Sequence, residues 1–265
     1  MKKLIFCDID GTIVDGSRNM SEVSDKTRYA IKELVKDNYV FLATGRCKGL
    51  LEKSLIDLGF NGYVLCNGAY AEIDGKQIYS EYLSDEAIER IMQVCEEYNG
   101  FYVLETINHM YVNDLKAEKF IKFLEGWGKR TDEGFEVKST FERKYNIAMV
   151  GFENEEDCIN CEKNFGCSAV LARHNTFKSY DVNIPDINKG VGVKRIMNYL
   201  GVNLENTYCF GDGINDLEML QVVGHPVIMA NADPKIKGYG FEETYDVLQD
   251  GFYHYLVDND LIKPL

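Results

Sequence analysis

Both ends of this 265-residue chain carry the same alternation of short, wholly apolar runs and stretches of helical period. Near the N-terminus, Leu4-Ile5-Phe6-Cys7, Val40-Phe41-Leu42-Ala43 and Tyr63-Val64-Leu65-Cys66 each read as a strand that is apolar on both faces. Ser24 is placed to cap a helix whose stripe includes Ile31, Leu34 and Val35, and residues 50–58 read as a second helix. Asp74-Gly75 is a turn signal between the strand-like segments 69–73 and 77–79. Near the C-terminus the pattern returns: a helix over 189–200, a strand at Thr207-Tyr208-Cys209-Phe210, a helix over 214–222 and a strand at Val227-Ile228-Met229. A strand apolar on both faces must be covered on both, which calls for a parallel sheet between helices.

The middle of the chain is different. Ser84 is placed to cap a helix carrying Ala87, Ile88, Ile91, Met92 and Cys95. Strand-like pieces at 101–105, 147–151 and 180–184 then mix with helices near 115–125 and 155–165. The expected fold class is therefore α/β: a doubly wound parallel-sheet (Rossmann-like) core with an inserted α+β domain. The expected bounds are 1–82 and 186–265 for the core and 83–185 for the insertion, in keeping with about 150 residues per domain.

Subtracting 43 acidic from 29 basic residues leaves −14. Such a field repels nucleic acid polymers and anionic membranes, and no stretch reaches the roughly 18 apolar residues of a membrane span. The opening apolar run stops at Asp8, short of the roughly 7–15 residues of a secretory h-region. Eight cysteines are far too few for a disulfide scaffold of this length. A reduced, cytoplasmic protein is the expectation. A small anionic ligand stays open, provided local cations or a metal offset the charge.

Asp8-Ile9-Asp10-Gly11-Thr12 directly follows the first strand, at the sheet edge where open α/β folds bind ligands. Residues i and i+2 of an extended segment face one side, so Asp8 and Asp10 can share a pocket. Two adjacent carboxylates resist joint ionisation unless a cation or a proton intervenes. The pair suits a hard divalent ion, Mg2+ foremost, and a division of labour in which one carboxylate attacks while the other moves a proton. Gly211-Asp212-Gly213-Ile214-Asn215-Asp216 follows a second strand and opens a helix. Asp212 is placed to complete a metal site, while Asn215 and Asp216 sit in a first helical turn whose amides favour an anion. Thr44-Gly45-Arg46 follows a third strand and can meet phosphate oxygens. Lys189 starts a helix, where the dipole disfavours a cation unless an anion accompanies it.

In this order, D-x-D-G-T, Thr-Gly-Arg, Asn67-Gly68-Ala69, Asn188-Lys189-Gly190 and G-D-x-x-N-D resemble the haloacid dehalogenase-like hydrolases, specifically their Cof-like phosphatase branch. Asn231-Ala232 is similar as well. The resemblance implies a cap of α/β type in the insertion, selecting the organic half of a small phosphorylated metabolite such as a sugar phosphate, nucleotide or cofactor phosphate. It implies that Asp8 attacks phosphorus to form an aspartyl-phosphate and that Asp10 serves as acid and then base. Thr44, Gly45, Asn67, Lys189 and Asn215 would hold phosphate or substrate. Mg2+ would be bound by Asp8, Asp10 (through its backbone carbonyl), Asp212 and Asp216. An aspartate at position 10 favours phosphomonoester hydrolysis or transfer over dehalogenation. Two alternatives stay open: a phosphotransferase or phosphohexomutase on the same core, and a non-catalytic phosphate-ligand sensor. Oligomeric state is not legible.

Cys158, Cys161, Cys167 and His174 invite a zinc reading, but Cys158 and Cys161 fall within one helical stretch, where i,i+3 cysteines more often pack than ligate. His109 and Trp127 carry no assignment.

Overall fold

The computed structural model describes residues 2–126, 134–137, 144–174 and 177–265; Trp127 lies outside them. The chain divides into two compact units. The first comprises Met1–Gly45, Leu51–Tyr79 and Asn188–Leu265, and the second Arg46–Leu50 and Ser80–Ile187. The expected bounds at 83 and 185 fall just inside the second unit. Nothing in the sequence singled out the short segment 46–50 as part of it.

In the first unit, β1 (Leu4–Cys7), α1 (Asp25–Asp37), β2 (Tyr39–Ala43), α2 (Lys53–Ile56) and β3 (Gly62–Leu65) are followed by the hairpin β4 (Tyr70–Ile73) and β5 (Lys76–Ser80). Asp74 and Gly75 take φ of 48° and 76°, the left-handed pair of a tight hairpin turn. The second unit contains α3 (Asp85–Glu97), β6 (Phe101–Glu105), β7 (Met110–Val112), α4 (Glu118–Gly126), β8 (Phe135–Glu136), β9 (Ile147–Gly151), α5 (Glu155–Asn164), β10 (Val170–Arg173) and β11 (Ser179–Asn183). The first unit resumes with α6 (Lys189–Leu200), β12 (Thr207–Gly211), α7 (Leu217–Leu220), β13 (His225–Ile228), α8 (Pro234–Lys237), β14 (Glu242–Glu243) and α9 (Gly251–Asp258).

The first unit's sheet runs β14-β13-β12-β1-β2-β3-β4-β5, parallel from β14 through β3 and antiparallel from β3 to β4. All four residues of β1 are buried, as expected for a strand covered on both faces. Leu4, Phe6, Phe41 and Val64 pack with Val193 and Ile196 of α6 and with Met219 and Leu220 of α7. Phe210 meets Phe252 and Tyr255 of α9 edge-on. The caps expected at Ser24 and Ser84 form, accepting from the amides of Thr27 and Ala87, and Asn188 caps α6 by accepting from that of Val191.

Some elements are shorter than their apolar pattern suggests. The helix expected over 50–58 is a 3-10 turn, Lys48–Leu50, followed by the single-turn α2, whose start has no side-chain cap. The helix expected over 214–222 begins as a 3-10 turn, Ile214–Asp216, before α7. The helix expected near 115–125 is α4, beginning three residues later.

The second unit's sheet runs β10-β11-β9-β6-β7-β8 and is antiparallel except between β7 and β8. One face packs Leu104, Ala148, Val150 and Val182 on α3 and α5, with Cys95, Cys158 and Cys161 in the same apolar cluster. Those cysteines are free thiols packed as hydrophobes; Cys167 is exposed, and His174 bonds to Ser179 and Asp181.

Glu105, at the end of β6, is buried, and burial with Asp181 nearby pushes its carboxyl up to about 8, against the Cys47 hydrogen bond and the His174 charge. The folded state thus keeps a proton that the unfolded chain releases near 4.5, so the contribution of Glu105 to stability is greatest at low pH and falls as pH rises towards 8. Glu105→Gln should flatten this slope and raise stability at pH 8 relative to pH 5 by an amount on the order of 4 kcal/mol. Urea titrations of both proteins at the two pH values check it, and parallel pH slopes would contradict it.

Candidate active site

The site belongs wholly to the first unit, at the C-terminal ends of β1, β2, β3 and β12. After β1 the chain turns tightly: the Ile9 carbonyl accepts from the amides of Thr12, Ile13 and Val14. This turn needs glycine at its second step. Gly11 has φ of +84°, and a Cβ there would stand 2.0 Å from Asp212 Oδ2. The Gly11 carbonyl accepts from Asn231 Nδ2 at 2.7 Å, and Asn231 Oδ1 accepts from the Val247 amide. Asn231 therefore holds the Asp8–Gly11 loop from 220 positions away, a role its sequence context only hinted at.

Lys189 is fully buried, contrary to the exposed setting usual for a lysine. Its Nζ donates to Asp8 Oδ1 and to Asp216 Oδ1, each at 2.7 Å, and these anions explain a cation in the first turn of α6. Burial alone would pull its pKa down, but Asp216 and Asp8 hold it above the ordinary lysine value. Asp216 Oδ2 accepts from the amides of Asp212 and Gly213, both at 2.9 Å. That carboxylate thus shapes the loop Asp212-Gly213 leading into the turn Ile214–Asp216. Asn215 is exposed beside it.

Among the described residues, one group of metal-capable side chains has donor atoms all within 4.8 Å of one another: Asp8, Asp212 and Asp216. Asp10 is outside that group and its side chain is exposed, so only its backbone carbonyl remains as the ligand first expected of it. Its charge still reaches Asp8. Burial foremost, then Asp216 and Asp10, push Asp8 up to about 7 against the pull of Lys189. Burial, Asp216 and Asp8 push Asp212 up to about 8, although Lys189 and a 3.3 Å bond from Thr12 Oγ1 act the other way. One buried ammonium does not balance these carboxylates. The all-oxygen donor set with excess negative charge fits a hard divalent cation, held by Asp8, Asp212 and the spare acceptor capacity of Asp216.

Thr44 is buried at the end of β2; its amide donates to the Val64 carbonyl and its carbonyl accepts from the Asn67 amide. A Cβ on Gly45 would lie 3.0 Å from Asn67 Oδ1, so Gly45 and Asn67 are close neighbours. Asn67 itself is buried in the left-handed conformation, with φ of 49°. The structure brings Asp8, Lys189, Asp212 and Asp216 into direct contact, and sets Thr44, Gly45 and Asn67 together on the adjoining strand ends. His109, in the second unit, is exposed and stacks on Tyr111. No helix among the described residues is long and apolar enough to cross a membrane.

Comparison with known proteins agrees with this geometry. YkrA of Bacillus subtilis, a provisionally named phosphatase, is 31% identical over 266 residues, covering 98% of this chain and 99% of YkrA. The HMP-PP phosphatase of Serratia proteamaculans is 26% identical over 251 residues, covering 89% of this chain and 87% of its own. A solved structure of a Geobacillus kaustophilus protein superposes with a TM-score of 0.84 at 25% identity, covering 99% of this chain and 100% of that one. The family profile described as haloacid dehalogenase-like hydrolase matches residues 5–256, and with nearly the whole length accounted for, the chain belongs to that family.

Proposed function

We propose that this protein is a Mg2+-dependent phosphatase that hydrolyses a small phosphorylated metabolite through an aspartyl-phosphate on Asp8. The observation that carries this reading is the buried Asp8 carboxylate, fixed at one oxygen by Lys189 and clustered with Asp212 and Asp216. The names of relatives such as the HMP-PP phosphatase point to the same substrate class.

Asp8 attacks the phosphorus, and its bond to Lys189 limits the rotation that would otherwise waste encounters. Asp10, exposed and therefore accessible, gives its proton to the leaving oxygen. It then takes a proton from the water that attacks the phosphorus of the aspartyl-phosphate, releasing inorganic phosphate and restoring Asp8. Lys189 offsets charge as the phosphoryl group approaches, while Thr44, Gly45, Asn67 and Asn215 orient its oxygens and neighbours. A bound divalent ion supplies Lewis-acid charge stabilisation. The second unit is the proposed cap, selecting the organic half of the substrate.

Because Asp8 and Asp212 stand near 7 and 8 without a cation, binding of Mg2+ should release protons at pH 7. Calorimetry in two buffers of different ionisation enthalpy reads this directly. Affinity should rise between pH 6 and 8, with the carboxylates increasingly deprotonated. Phosphate release from a panel of phosphorylated metabolites, with Mg2+ and with EDTA, tests the function. Release that is abolished by EDTA supports the reading; release that is indifferent to EDTA sinks the metal assignment. Absence of release from every member sinks the phosphatase reading in favour of transfer or sensing.

A further inference from the structure

The turn after β1 carries two carboxylates with different tasks in the proposed reaction, and they are held in different ways. The Asp8 amide donates to the Phe210 carbonyl at 3.0 Å, and its carboxylate is fixed by Lys189. The Asp10 side chain is exposed, and the residue that follows it is a glycine, the residue least able to fix its own backbone. Bonds inside the turn, from the amides of Thr12, Ile13 and Val14 to Ile9 and from the Gly11 amide to the Val14 carbonyl, set its shape. Burial of Ile9 and Ile13 anchors its apolar side. The Gly11 carbonyl is held from outside the turn, by Asn231 Nδ2 at 2.7 Å. With its amide on Val14 and its carbonyl on Asn231, Gly11 is fixed through both of its peptides, one of which it shares with Asp10.

Asn231 is itself well placed to hold. The flanking amides of Ala230 and Ala232 donate to the carbonyls of Tyr245 and Met229, and Asn231 Oδ1 accepts from the Val247 amide at 2.9 Å. Val247 is buried and opens a 3-10 turn, Val247–Gln249, that Asp246 caps by accepting from the Leu248 amide. The same corner takes a second hold on the loop. Asp246 accepts two bonds of 3.0 Å from Arg18, whose Nε donates to Asp15. The corner Asp246-Val247 thus grips residues 11 and 18, both within the first unit. An amide side chain suits position 231 because one arm donates to a carbonyl while the other accepts from an amide. An ionised Asp keeps the second bond and loses the first, and Ala loses both.

We propose that Asn231 is a positioning residue for the acid–base step, fixing the Gly11 backbone so that the Asp10 carboxyl is aimed at the leaving oxygen. The proposal rests on the assignment of Asp10 as the general acid. In that step a bond forms from an Asp8 oxygen to phosphorus, the bond from phosphorus to the leaving oxygen breaks, and the Asp10 proton passes to that oxygen. A misdirected acid costs most where the leaving oxygen is most basic.

Phenyl phosphate and 4-nitrophenyl phosphate test this, because they differ in the basicity of the leaving oxygen and kcat/KM reports the step that expels it. At pH 8 with saturating Mg2+, Asn231→Asp and Asn231→Ala should each lower kcat/KM for phenyl phosphate about 10-fold more than for 4-nitrophenyl phosphate. In an Asp10→Asn background the same substitutions should no longer separate the two probes, since the group they misdirect is gone. Backbone hydrogen exchange without Mg2+ gives a readout that needs no turnover. In both variants the Gly11 amide should exchange about 10-fold faster, while the Asp8 amide keeps its protection. Equal losses on the two probes in a protein whose wild type hydrolyses both would overturn the positioning role, and so would unchanged protection at Gly11. If wild type expels neither phenol, the phosphatase reading falls and takes the acid–base role of Asn231 with it.

Discussion

Lys189→Met should destabilise the protein by about 3–5 kcal/mol at neutral pH, the usual cost of removing one partner from a buried ion pair. The ammonium is fully enclosed and lies 2.7 Å from carboxylates on two different elements. Without it, Asp8 and Asp216 face each other and Asp212 with no internal cation. Asp8, already pushed up to about 7 with the lysine present, should then bind its proton more tightly. The sign of the pH dependence follows. The cost should shrink below pH 6, where Asp8 and Asp212 hold their protons, and grow towards pH 8. Added Mg2+ should recover part of the loss, because an ion that binds only the folded state stabilises it. Urea titrations across that range check all three effects. A loss below about 1 kcal/mol would mean that Lys189 is not the counter-ion the packing makes it.

The second large effect separates two aspartates only two positions apart. Asp8→Asn should reduce turnover by roughly 10^4-fold or more, as loss of a nucleophile does. The folded protein should be preserved, and stabilised in the absence of metal, since one of several crowded carboxylates becomes neutral. Asp10→Asn should reduce turnover by about 10^2- to 10^4-fold, the range for general acid–base catalysis. Its exposed side chain predicts a stability change within about 0.5 kcal/mol. Steady-state rates with thermal melts distinguish the pair. If Asp10→Asn melts early or Asp8→Asn turns over, their roles are misassigned.

Local chemistry made much of the core legible. Four-residue runs such as Leu4-Ile5-Phe6-Cys7 need cover on both faces, and the Asp74-Gly75 turn has one low-energy way to join two strands. The caps at Ser24 and Ser84 are satisfied within three residues, so sequence neighbours suffice to find them. Lys189 was conspicuous because a cation opposed the helix dipole, which foretold an anion without saying which. What escaped depends on partners distant in sequence. Asn231 clasps Gly11, and the segment 46–50 takes its partners from β6 and the turn after it. For Asp216 the expected place in the acidic cluster was legible, and what escaped was a local role, bonding the amides of its own loop. Composition carries no signal of that role.

The central claim is a covalent phosphoryl bond to Asp8. A single-turnover reaction with Mg2+ and a radiolabelled phosphoryl donor from the active panel, quenched rapidly in acid and digested, tests it most directly. The account predicts transient label on the peptide containing Asp8, with decay matching phosphate release and no label in Asp8→Asn. Turnover at wild-type rate with no label at Asp8, or with label on another residue, would contradict it.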